Sequence, residues 1–170
     1  MLRTYSEGRR KSVALDEKRN VLLRMRKHAF TRDTARTMSE ENVEVADRMA
    51  DAFNTRSFDL LSELVSQDFE FIPYLAFEIA SSSYRGLEGL RRYFEDADTA
   101  WENIRVHLDE IRDTDSGFVA FGGLHARGKS SGVDTDVELA WVVELQGGRV
   151  RRVHSYGDAG QALEAAGLKK

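Results

Sequence analysis

VDTDVELAWVVELQGGRVRRVHSY, residues 133–156, holds two alternating runs joined by a pair of glycines. In the first run Val133, Thr135, Val137, Leu139, Trp141, Val143 and Leu145 point one way. Asp134, Asp136, Glu138, Ala140, Val142 and Glu144 point the other. A period of two marks a strand with one buried face. Gly147–Gly148 suits a two-residue hairpin turn, because both central residues of such a turn need positive φ. With Gln146 opposite Arg149, an unbroken ladder predicts Trp141 opposite His154, Leu139 opposite Tyr156 and Val143 opposite Arg152 on one face. Glu144 opposite Arg151 and Val142 opposite Val153 fall on the other. Directly opposed side chains are close enough to interact. The first face is then apolar with a few polar groups, His154, Tyr156 and Arg152, which is how small-molecule pockets are lined.

Upstream, Ile104, Val106 and Leu108 alternate with Arg105, His107 and Asp109, but Ile111 has the wrong parity. A bulge near Asp109 or Glu110 would restore the face and bend the strand. Phe118 to Arg127 is a further strand, in which Gly122–Gly123 marks a sharp bend. Earlier in the chain the period is helical. Gly86 opens a helix with Leu87, Leu90, Phe94 and Ala97 on its apolar stripe. Asp68 to Tyr74 is a short strand that ends at the chain's single proline, Pro73. Ser57 caps a short helix carrying Leu60, Leu61, Leu64 and Val65. Ser39 caps a longer one with Val43, Ala46, Ala50 and Phe53, stopped at Asn54. After the hairpin, Asp158 caps a last helix with Gln161 three residues on, and Gly167 ends it. Helices gather early and strands late. That order predicts an α+β fold, with helices packed on one face of a mostly antiparallel sheet.

Composition removes several classes of function. The chain has 170 residues, 41% hydrophobic and 32% charged, enough for one well-buried domain. No apolar run approaches the ~20 residues a membrane helix needs, so no membrane partner is expected. There are no cysteines, hence no disulfide, thiolate nucleophile or cysteine metal site. The start, Met1 to Arg10, lacks the apolar core of a secretory signal, and a cytoplasmic location is expected. No glycine-rich phosphate loop, Gly-x-Ser-x-Gly or His-x-x-x-His spacing occurs. Neither cofactor nor metal is expected. His107 and Asp109 share a strand face with no third ligand nearby in sequence, His125 stands alone, and the alternating run Asp134, Asp136 and Glu138 reads as a solvated outer face.

Charge is unevenly distributed. The first 37 residues hold eleven Lys or Arg against four Asp or Glu, which leaves the remainder at −11 within an overall −4. Residues 1–37 are therefore expected to be a basic extension, disordered or arising from an alternative start, with a docked helix over Leu15 to His28 as the other possibility. A domain over residues 38–170 follows. Nucleic acid is not an expected partner, because the arm lacks interleaved aromatics for stacking and the acidic body would repel phosphate.

Four stretches carry a family likeness: ENVEVADRMADAFNTRSFDLLSELVSQDFEF, YRGLEGLRRYFED, ARGKSSGVDTD and GGRVRRVHSYGDAGQALEAAGL. In order and spacing the segment from Met38 to Lys170 resembles SnoaL-like, polyketide cyclase-like proteins of the nuclear transport factor 2-like superfamily. The resemblance implies a cone: a strongly curved sheet around a pocket, helices on the concave side, and a homodimer formed through the sheet. It implies a family of cyclases, isomerases, dehydratases and proteins without known activity. Many relatives carry a histidine where this chain has Trp141.

Three functions remain open from the sequence. The first is an acid–base isomerase, cyclase or dehydratase acting on a hydrophobic carbonyl compound. His154 would move the proton and Tyr156 would steady the enolate oxygen. The second is a non-catalytic module for an apolar small ligand. The third is an interaction domain whose outer face, with Val142, Val153 and Ala140, forms a dimer seam. Phe53, Tyr74, Trp101, Leu139 and Trp141 are the expected ligand contacts.

Overall fold

The chain is described by a computed structural model over residues 40–74 and 83–169. The basic extension, the helix expected within it and the cap at Ser39 lie outside the described residues. Helix α1 (Glu40–Thr55) has Glu40 and Glu41 in its first turn, where the helix dipole favours acids, and buries Val43, Ala46 and Ala52. It ends at Arg56, whose φ of 52° breaks the helix. Ser57 caps α2 (Phe58–Leu64), accepting a hydrogen bond from the Leu60 amide. Strand β1 (Val65–Ile72) follows directly, so Val65 belongs to the strand rather than to the helix. A two-residue strand β2 (Tyr84–Arg85) leads into α3 (Gly86–Ala100). Strands β3 (Trp101–Asp113), β4 (Gly117–Gly128), β5 (Asp134–Gln146) and β6 (Arg149–Tyr156) form an antiparallel meander. Helix α4 (Ala159–Ala165) closes the chain. The Asp158 side chain caps it at the Gln161 amide, and Gly167 ends it at φ 72°.

The six strands lie in the order β2-β1-β6-β5-β4-β3. Strand β1 runs parallel to β6 and all other pairs are antiparallel. The curvature has local causes. Leu108 pairs with Gly122 and Glu110 with Phe121, so Asp109 is the extra residue of the expected bulge. Opposite it, a Cβ on Gly122 would stand 1.9 Å from the His107 carbonyl oxygen. Only a residue without a side chain lets the two strands close at this bend. The hairpin turn has Gly147 at φ 59° and Gly148 at φ 78°, as its two-residue length requires.

The helices are fixed to the sheet at both ends of α1. Asn54 donates from Nδ2 to the Val106 carbonyl at 2.9 Å and accepts at Oδ1 from the Val106 amide at 2.8 Å. β3 is an edge strand, and Asn54 satisfies backbone groups that pairing would leave open. Asn42 holds the other end, donating to Asp113 and to the Gly117 carbonyl. Arg56 meets Asp98 through two hydrogen bonds of 2.6 Å, which joins the ends of α1 and α3. Each partner stabilises the charged form of the other: the hydrogen bond raises the Arg56 pKa and lowers that of Asp98. The pair is partly solvated, so its value is that of positioning more than of stability.

α4 lies on the opposite side of the sheet. Ala162 is fully buried against Val119 and Ala140, with Phe121, Val142 and Tyr156 around them. Three helices thus back the concave face and the fourth covers part of the convex one.

Candidate functional site

The concave face and the helices form a half-open apolar cavity of about 100 Å³. Met49 and Phe53 reach it from α1, Leu61 from α2, and Leu90 and Tyr93 from α3. Phe69 and Phe71 come from β1, with Pro73 and Tyr74 just beyond. The meander supplies Val106, Leu108, Phe118, Ala120, Leu124, Leu139, Trp141, Val143, Val153 and Ser155. Side chains far apart in sequence meet here because every strand of the curved sheet turns alternate residues inward. Tyr93 sits at the junction of helices and sheet. Its ring packs edge-on against Phe71 at 4.9 Å and Tyr84 at 5.4 Å, with Phe53 at 6.1 Å. Burial pushes its phenol well above the usual range, so it stays protonated. The Tyr84 hydroxyl donates to Asp96 at 2.8 Å.

Phe53, Tyr74, Leu139 and Trp141, four of the expected ligand contacts, line this cavity. Trp101 does not line the cavity; it packs against the core at the start of β3, beside the positive φ of 54° at Asn103. The larger correction concerns His154 and Tyr156. The hairpin begins in the expected register, Gln146 with Arg149 and Leu145 with Val150. It then shifts by one residue. Glu144 pairs with Arg152, Val142 with His154, Trp141 with Ser155 and Ala140 with Tyr156. Arg151 is the extra residue. A one-residue slip sends every later side chain to the other face. His154, Tyr156 and Arg152 thus lie on the convex side, and Val153 and Ser155 face the cavity.

Charge and packing together account for the bulge. Arg151 and Arg152 stand side by side against Glu144 at 3.7 and 3.6 Å, and reach on to Asp68 and Glu70 of β1 at 3.4 Å each. Val150 and Val153 are both buried, and their spacing of three cannot fit an unbroken period of two. The same parity signal that exposed the bulge at Asp109 was present here. On the convex face the Tyr156 hydroxyl lies 2.9 Å from His154 Nδ1, and the rings stack at 4.2 Å. Partial burial, then the Arg152 charge, lowers the His154 pKa against a raising effect of Glu70. This is a packed aromatic pair, away from the cavity.

Sequence reasoning missed Ser155. It is the one buried polar residue among those described, 5% exposed, and its side chain lines the cavity opposite Trp141. Leaving a buried hydroxyl unpaired costs about 1–3 kcal/mol. No carboxylate, histidine, lysine or arginine is found among the described lining residues. No cluster of three or more His, Cys, Asp or Glu able to hold a metal occurs among the described residues.

Residues 46–153 match the SnoaL-like domain. The chain belongs to the SnoaL-like family. No curated protein matches it. Among solved structures, an NTF2-like protein of unknown function from Burkholderia pseudomallei is 14% identical, with a TM-score of 0.62 over 75% of this chain and 98% of that one. A putative SnoaL-like polyketide cyclase from Jannaschia sp. CCS1 is 17% identical, with a TM-score of 0.60 over 79% and 96%. A Mycobacterium tuberculosis protein in complex with estradiol-17β-hemisuccinate is 13% identical, with a TM-score of 0.57 over 70% and 95%. At these identities the likeness is one of fold. No helix among the described residues is long and apolar enough to cross a membrane.

Proposed function

We propose that this SnoaL-like chain binds an apolar small molecule in the cavity between α1, α3 and the concave face, as a binding module. The observation that carries this reading is the cavity wall: aliphatic and aromatic side chains from helices and sheet, relieved by hydroxyls. Such a wall excludes water and holds a hydrophobic body. The ligand contacts are Phe53, Tyr74, Leu139 and Trp141. The SnoaL-like family includes cyclase and isomerase types, and fold does not choose among them. In this reading His154 and Tyr156, on the convex face, take no part in what happens in the cavity. The site belongs to residues 38–170, with residues 1–37 as an appendage to it.

The test uses 2-ethylnaphthalene, a hydrocarbon probe, in equilibrium dialysis. Saturable binding with one site per chain is expected, with a change in Trp141 emission in a Trp101→Phe background. Ala50→Trp, which thickens the α1 wall, should weaken binding by ~10-fold or more. Binding unaffected by Ala50→Trp would place the probe elsewhere.

We also infer a homodimer formed through the convex face. Support comes from the family resemblance and from half-buried Val142, which α4 leaves only partly covered. The seam is smaller than the sequence implied. Val153 faces inward, and Ala140, 1% exposed, is already covered by α4. Sedimentation at micromolar concentration should show a dimer that Val142→Glu weakens, since a charge in an apolar seam is costly. A species of 19.3 kDa alone would exclude it.

A further inference from the structure

We propose that Ser155 is the polar anchor of the cavity, and that the ligand is a neutral apolar molecule carrying one hydrogen-bonding oxygen, a carbonyl or a hydroxyl. This rests on the ligand-binding reading above and narrows its substrate class.

Three observations carry it. Ser155 is 5% exposed and the only residue among those described that is both polar and buried, in a face otherwise built of aliphatic and aromatic side chains. Its hydroxyl meets no hydrogen-bond partner among the described residues. Among the described residues the single side-chain nitrogen or oxygen sealed from solvent without a hydrogen bond is Arg152 Nε, which is ion-paired with Glu70, so the Ser155 oxygen keeps open surface. Since Ser155 lines the cavity, that surface belongs to the cavity. A buried hydroxyl that neither packs as hydrocarbon nor bonds to protein is a group awaiting a partner.

The geometry also says where the oxygen would go. Ser155 stands opposite Trp141, so the indole borders the anchor. Two residues on, a Cβ at Gly157 would be 2.4 Å from the Tyr74 ring, so the hydroxyl end of that ring lies against the end of β6. The ligand's oxygen is thus placed near the Tyr74 end, with its hydrocarbon body toward Phe69, Phe118 and Leu124. Charge decides against an ionised ligand. The described wall offers no cation to pair a carboxylate and no carboxylate to pair an amine, and an unpaired ion in an apolar cavity is strongly disfavoured. A serine hydroxyl both donates and accepts, so a ketone and an alcohol are equally served.

Two matched probes test this: 2-acetylnaphthalene, which has the carbonyl, and 2-ethylnaphthalene, which lacks it. Each is dialysed against the full chain, Ser155→Ala and Ser155→Cys. The cysteine keeps the shape and weakens the hydrogen bond. The expected result is a ~10-fold loss of ketone affinity in both variants, with the hydrocarbon unchanged or bound more tightly. Equal effects on the two probes, or none on either, would overturn the anchor while leaving the binding module in place. Failure of both probes to bind the unaltered protein would overturn the module, and the anchor with it.

Discussion

Val153→Asp should destabilise the protein by about 3–5 kcal/mol, whereas His154→Ser should cost about 1 kcal/mol. The two residues are neighbours, and an unbroken hairpin would give the opposite ranking. Val153 is 9% exposed and lines the cavity beside Val143, its partner on β5. A carboxylate there has no cation among the described lining residues and must either ionise in an apolar space or take up a proton. His154 lies on the convex face, and its serine variant gives up a hydrogen bond to Tyr156 and a stacked ring. Urea unfolding of both variants reads the difference directly. A costly His154→Ser with a harmless Val153→Asp would mean that the ladder runs without its bulge, and that His154 faces inward.

Gly122→Val should cost about 3 kcal/mol and lower the melting temperature by roughly 10 °C. The obstacle is backbone: the new Cβ would stand 1.9 Å from the His107 carbonyl oxygen, which cannot rotate away. Either the β3–β4 pairing opens or the sheet flattens, and a flatter sheet draws Val106 and Leu108 out of the cavity wall. Gly128→Ala is the matched control. Its Cβ would meet the Ser131 hydroxyl at 2.4 Å, the end of an exposed side chain that can turn aside. A loss below about 1 kcal/mol is expected there. Equal melting temperatures for the two variants would show that the bend at Gly122 does not depend on close approach. Probe binding should fall with Gly122→Val and persist with Gly128→Ala.

Much of this protein is local and therefore legible in its residues. The caps at Ser57 and Asp158, the helical stripe of Leu90 and Phe94, the bulge at Asp109 and the turn at Gly147–Gly148 each depend on groups within a few positions of one another. Period, capping chemistry and positive φ state them directly. The α+β class follows from their order. The cavity wall was half legible: Leu139 and Trp141 were assigned to it by alternation, which holds up to the point where the ladder is interrupted. What only the tertiary structure decided is which face of β6 looks inward. The bulge at Arg151 brings both arginines within reach of β1, more than 80 positions away, where Asp68 and Glu70 join Glu144 as their partners. Two buried valines spaced by three record that choice in the sequence, but a pattern of three residues does not say which ladder it interrupts. The parallel pairing of β1 with β6 is likewise a long-range contact that no local period encodes. Ser155 owes its place to both. Its hydroxyl faces the cavity because the extra residue four positions earlier, Arg151, shifts the register of everything that follows.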